Sequence, residues 1–93
     1  MMNKKNAEIM FMLNLVKRFI DGKEDRMFFV GDFNHYLIEK YDDIYDENPE
    51  AAYVIGKVIG DVVDMDELTD EQLRDRVCDG YNLVLDILSG TAY

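Results

Sequence analysis

Apolar residues recur along this chain at intervals of three and four, the period of a helix with one buried face. In the first run, from Ala7 to Asp21, the residues Ile9, Met12, Leu13, Val16, Phe19 and Ile20 share that face. Gly22 follows where a left-handed cap would end the helix. A second run spans Asp25 to Asp46. Its stripe is Phe29, Phe33, Tyr36, Leu37 and Ile44, with Val30 and Tyr41 at one edge. Phe28 and Ile38 fall off that stripe, which predicts neighbours on two sides of this helix.

Asn48 then stands as a cap and Pro49 as the first residue of a third helix, which turns Ala52, Ile55, Gly56, Ile59, Val62 and Val63 inward. Two glycines four apart in GKVIG predict a close helix crossing there. β-branched residues cluster in AAYVIGKVIGDVV, but strict alternation is missing, so a helix is the better reading. The segment TDEQ, Thr69 to Gln72, is a capping box. It opens a fourth helix that buries Leu73, Val77, Tyr81, Val84 and Leu88 and stops at Ser89-Gly90. The expected fold is all-α, an antiparallel four-helix bundle in a single domain over 1–93, with helices at about 7–21, 25–46, 49–64 and 70–88.

Length and composition agree with that picture. The 93 residues suffice for one core, and 48% apolar content with six Tyr and five Phe is too much for disorder. The opening MMNKKNAEIMFMLNLVKRF imitates a signal peptide, but its apolar run is broken by Asn14 and no small-residue cleavage site follows. No stretch is long enough to span a membrane, so a soluble, cytoplasmic protein is expected. The single cysteine, Cys78, has no internal partner for a disulfide, which fits a reducing compartment and a buried thiol.

Charge changes the picture more. The net charge is −10, and it is uneven: residues 1–31 carry six basic and four acidic side chains, residues 32–93 four basic and sixteen acidic. Such a field repels nucleic acid and anionic lipid and draws in cationic partners, although net charge also serves solubility alone.

Catalytic constellations are missing. Ser89 is the sole serine and has no obvious partner, and His35 is the sole histidine. There is no glycine-rich phosphate loop and no zinc spacing. Neither DDIYDENPEAAY nor DMDELTDEQLRD fits the frame of a calcium loop, and no inward Glu-x-x-His suggests a di-iron site. An acyl carrier would need a serine at the start of its second helix. The chain is expected to be no enzyme and to need no cofactor or metal.

The acids gather in two places. Asp32, Glu39, Asp43 and Asp46 fall on one side of helix 2, and the tract YDDIYDENPE closes that helix, turns at Asn48 and opens the next. There Glu47 and Glu50 suit the start of helix 3, whereas Asp42, Asp43 and Asp46 oppose the dipole of helix 2. The second cluster, GDVVDMDELTDE, puts Asp61 and Asp64 on the outward face of helix 3 with Asp66 and Glu67 in the turn. Carboxylates on one compact corner suit a Lys/Arg-lined groove that otherwise holds phosphates. Outward on helix 3, Tyr53 and Lys57 are candidate flanking contacts.

The stretch LVKRFIDGKEDRMFFVGDFNHYLIEKY resembles the opening two helices of the colicin D-type immunity proteins. It has their Leu-x-x-x-Phe pattern in Leu15 and Phe19, then a short turn, Phe29, and Tyr41 twelve residues later. The later AAYVIGKVIGDVVDMDE resembles that family's third helix, which ends in spaced acids; Val62 stands where the family has a basic residue, and the segment before helix 4 is shorter. What the resemblance implies is a small four-helix bacteriocin immunity protein. Such a protein inhibits a basic, transfer-RNA-cleaving nuclease toxin by covering its active site in a 1:1 complex, by nucleic-acid mimicry. The covering role would fall on Asp61, Asp64 and Asp66. YDDIYDENPE would supply long-range attraction or a rim. The competing expectation is an acidic helical interaction module, or a nucleic-acid mimic with a regulatory target, and no toxin partner.

Overall fold

A computed structural model describes residues 6–90; positions 1–5 and 91–93, including the start of the signal-like segment, lie outside the described residues. There are four helices and no strands in the described chain. Helix α1 is Ala7–Ile20 and α2 is Arg26–Glu47. Helix α3, residues 49–63, begins with Pro49–Tyr53, continues through a π-helical stretch at Val54–Ile59 and ends with Gly60–Val63. Helix α4 is Asp70–Ser89.

Local chemistry sets most of these ends. Gly22 has φ +77, its N–H donates to the Phe19 carbonyl and the Lys23 N–H donates to the Arg18 carbonyl, the paired bonds of a Schellman cap. Asn48 is extended because it precedes proline, and its Oδ1 accepts the Ala51 N–H at 3.1 Å. At α4 both halves of the capping box form: Gln72 N–H to Thr69 Oγ1 at 3.1 Å, and Thr69 N–H to Gln72 Oε1 at 2.9 Å. Gly90, at φ +80, ends α4.

One apolar core joins the four helices. Ile9, Met12, Leu13, Val16 and Phe19 from α1 meet Phe29, Phe33 and Ile44 from α2, Ile55, Ile59 and Val63 from α3, and Leu73, Val77 and Val84 from α4. Phe19 and Phe29 stack with centroids 4.5 Å apart, and the Arg74 guanidinium covers the outer face of Phe19. Between α1 and α2, Lys40 Nζ donates to Glu8 Oε1 at 2.7 Å and lies over the Phe11 ring. That hydrogen bond to Glu8 holds the Lys40 ammonium above its ordinary pKa.

Four expectations need correction. Helix α2 does pack on two neighbours, α1 and α3, but Phe28 and Ile38 are 63% and 83% exposed rather than buried in those contacts. Ile20, Tyr36, Leu37, Tyr81 and Leu88 pack only partly against the core, and Cys78 is half-exposed rather than buried. The third helix is not uniformly α. Ala51, Ile55, Ile59 and Val63 all face the core at a strict spacing of four, and an α-helix would turn each about 40° past the last. The wider π turn between Ile55 and Ile59 offsets part of that drift, and Ala52, Val54 and Gly60 are buried beside the row. Finally, the close crossing at GKVIG is present, but the glycine that permits it is on the facing helix: a Cβ on Gly80 would lie 2.5 Å from Ile59 Cγ1, whereas one on Gly56 would meet the Tyr41 ring at 3.0 Å and one on Gly60 the Leu37 side chain at 3.7 Å.

Candidate functional site

The acids of the predicted corner lie where α3 ends and the connection to α4 begins. Asp61, Asp64, Asp66 and Glu67 are all exposed. Asp61 is a turn beyond Lys57, whose Nζ stands 3.8 Å from its carboxylate, a loose and solvated pair worth at most about 0.5 kcal/mol. Asp64 Oδ1 accepts the Asn34 side-chain amide of α2 at 3.2 Å, so this carboxylate is oriented without being neutralised.

What holds the corner in shape is a residue that the sequence pattern did not single out. Arg26, at the start of α2, donates to the Leu68 carbonyl at 2.6 Å, the Met65 carbonyl at 3.2 Å and Asp70 Oδ1 at 3.0 Å. One guanidinium thus clamps the whole turn that carries Asp66 and Glu67. Beside it lies a shallow depression of about 460 Å³, with Asp25, Asp66 and Asp70 around Met27 and Val30. Nothing in the spacing identified Arg26, because its acceptors are mainly backbone carbonyls at a separation of about forty residues. The one acid that Arg26 pairs with directly is Asp70.

The two flanking candidates part company. Lys57 lines a groove of about 300 Å³ with Leu37, Ile38, Tyr41 and Gly56, on the α2 side of α3. Tyr53 lines a larger groove of about 530 Å³ at the opposite end of α3, between Tyr45 and Leu83. Tyr53 therefore does not flank the acid corner.

No family model, curated protein or solved structure matches this chain. The site therefore rests on its own geometry.

On the second acidic face, Asp32, Glu39, Asp43, Asp46 and Glu50 are exposed, with Glu39 3.6 Å from His35 Nε2. Glu47 is different. It ends α2 rather than starting α3, and its carboxylate turns inward to accept the Glu8 N–H at 2.9 and 3.1 Å and the Ile9 N–H at 2.9 Å. It caps α1, whose own leading residue Asn6 makes no side-chain cap bond. Glu47 leaves the list of surface acids for that reason. Among the described residues no three His, Cys, Asp or Glu side chains converge as a metal ion would require. No described helix is long and apolar enough to cross a membrane.

Proposed function

We propose that this chain is an immunity protein: a non-catalytic, stoichiometric inhibitor that covers the basic active site of a nuclease toxin, of the transfer-RNA-cleaving kind that the colicin D resemblance implies. It would act in the cytoplasm of the producing cell, as a 1:1 complex. In this reading the helices alternate up and down as an antiparallel bundle. Glu8 with Lys40 and Phe19 with Phe29 support that for the first pair, Asn34 with Asp64 and Tyr41 with Gly56 for the second. Within each pair of helices the residue number falls along one helix as it rises along the other.

One observation carries the reading. Asp61 and Asp64 project from the end of α3, and Asp66 and Glu67 from a turn whose backbone Arg26 already holds, so the chain that carries them is in place before a partner arrives. Preorganised charge lowers the entropic cost of association, and a phosphate-binding groove offers the Lys and Arg that these acids lack. The acid corner takes the place of the nucleic-acid backbone.

The test is the double reversal Asp61→Lys with Asp64→Lys. Both side chains are exposed, so far-UV circular dichroism should be unchanged. Cells producing a colicin D-type transfer-RNA nuclease domain should lose protection, and calorimetric affinity for that domain should fall by at least about a hundredfold, the scale of truncated charge pairs at interfaces. Full protection by the double variant, or an association rate indifferent to ionic strength, removes the corner from the mechanism.

A further inference from the structure

A groove of about 530 Å³ lies away from the acid corner. Its floor is Val54 and Ile87, its walls are Tyr45, Tyr53 and Leu83, and Glu50 closes one end. Tyr45 and Tyr53 are 51% and 60% exposed, and Leu83 is also solvent-facing. Large apolar side chains grouped around one concavity, rather than scattered, mark an interaction surface. Tyrosine is suited to that role because it offers a rigid apolar ring with a polar tip. A volume of about 530 Å³ accepts several aliphatic side chains. Tyr53 and Val54 also stand at the entry to the π-helical stretch, a departure from α geometry that proteins often keep at functional positions.

Charge says what belongs there. No lysine or arginine occurs in 41–56 or in 77–90, the two segments that form the groove. Along the chain, Lys40 and Lys57 border the first segment and Arg76 the second; Lys40 is bonded to Glu8 and Lys57 reaches for Asp61. Among the described residues, acids stand closest to the apolar floor: Glu50 lines it, Asp42 lies three residues before Tyr45, and Asp79 lies four before Leu83, spacings that make them surface neighbours on one helix. A second copy of this chain would set those acids against one another, and an anionic lipid surface would be repelled.

We propose that this groove docks the apolar face of a lysine- or arginine-rich amphipathic helix from a protein partner, with aliphatic side chains between Tyr45, Tyr53 and Leu83 and cations on the acidic rim. The mode is helix-in-groove recognition, with anchors at i, i+3 or i+4 and i+7. It is separate from the acid corner and stands whether or not that corner meets a nuclease.

The probe is a helical peptide of leucine and lysine with leucines at that spacing, titrated into the full, isotope-labelled chain and followed by NMR. Amide shifts should concentrate at Tyr45, Tyr53, Val54, Leu83 and Ile87. Affinity should fall at least tenfold with Tyr53→Ala and with Leu83→Ser. Tyr53 is exposed enough that its truncation leaves the fold intact, which circular dichroism would verify for both. A matched peptide with glutamate in place of lysine should not bind. Shifts confined to Asp61 through Glu71, or unchanged affinity in both variants, would overturn the proposal. So would equal binding of the glutamate peptide, or a sedimentation-detected dimer of the free chain that Leu83→Ser dissolves, since the occupant would then be another ligand or a second copy.

Discussion

Glu47→Ala should unfold this protein far more readily than any other single acid-to-alanine change in the tract YDDIYDENPE. Asn6 gives helix α1 no side-chain cap, and among the described residues the Glu8 and Ile9 amides find their acceptor in the Glu47 carboxylate, from across the fold. Loss of an N-cap costs about 0.5–2 kcal/mol, and hydrogen bonds to a charged acceptor sit at the upper end of such values. Glu47 is partly open to water, which can replace some of what is lost. We therefore expect about 1.5–2 kcal/mol. For a domain of this size each kcal/mol moves the melting temperature by about 4–8 °C, so Tm should fall by roughly 6–16 °C.

The neighbours supply the control. Glu50, exposed in the first turn of α3, gains only from the helix dipole, so Glu50→Ala should cost about 0.5 kcal/mol or less. Asp43 lies near the C-terminal end of α2, where its charge opposes the dipole, so Asp43→Ala should be neutral or slightly stabilising. Urea unfolding followed by circular dichroism measures all three. Amide exchange at Glu8 and Ile9 should accelerate in Glu47→Ala alone. A Glu47→Ala midpoint indistinguishable from that of Glu50→Ala would show that α1 does not depend on this cap.

Three further outcomes follow from the packing. Gly80→Ala would gain about 1 kcal/mol in helix propensity, but its Cβ would press on Ile59 2.5 Å away, and overpacking at about 1–3 kcal/mol should leave the variant less stable in urea. Shortening the neighbour, in Ile59→Val with Gly80→Ala, should recover part of that loss. Arg26→Met should cost about 2 kcal/mol and speed amide exchange over residues 65–68, because two carbonyls and Asp70 lose a charged donor. Unaltered exchange there would mean that the turn holds itself. Lys40 is raised above 10.5 in the folded chain by its bond to Glu8, so the stability it contributes is complete below that value and is lost as pH rises through the folded pKa. The urea midpoints of wild type and Lys40→Gln should therefore converge above about pH 10.5, and a constant gap would exclude this ammonium as its source.

What could be read from the chain beforehand was what is local. The Schellman turn at Gly22, the Asn48-Pro49 start and the Thr69-Gln72 box each involve residues within a few positions of one another, and each forms. The apolar period located the helices for the same reason. Glu47 and Arg26 escaped because their acceptors and donors lie about forty residues away, a relation that no periodicity encodes. The π stretch was present in the sequence as the four-residue spacing of Ala51, Ile55, Ile59 and Val63. It passed unnoticed because intervals of four also belong to an α-helical stripe when mixed with threes. Which glycine permits a crossing depends on the facing helix, so GKVIG marked the place while the glycine that opens it, Gly80, lies opposite Ile59. Exposure of the corner acids was legible; the distance of Tyr53 from them was not.

The two halves of the chain use charge differently, and that bears on whether the acidity is more than a solubility device. Among the described cations, Lys17 pairs with Asp21 and Arg18 with Glu24 at the exposed end of α1, and Arg26 bonds Asp70 and two carbonyls. Lys40 joins α2 to α1, and Arg74 donates to the Phe19 carbonyl while covering its ring. Arg26, Lys40 and Arg74 thereby hold helices together. The acids of Asp61 through Glu67 meet only Lys57 at 3.8 Å and the neutral amide of Asn34. Under the proposed function, that thin compensation leaves the corner's carboxylates open to the cations of a partner, over a turn that Arg26 holds in place. The Tyr45–Tyr53 groove carries the same sign in the one charged side chain that lines it, Glu50.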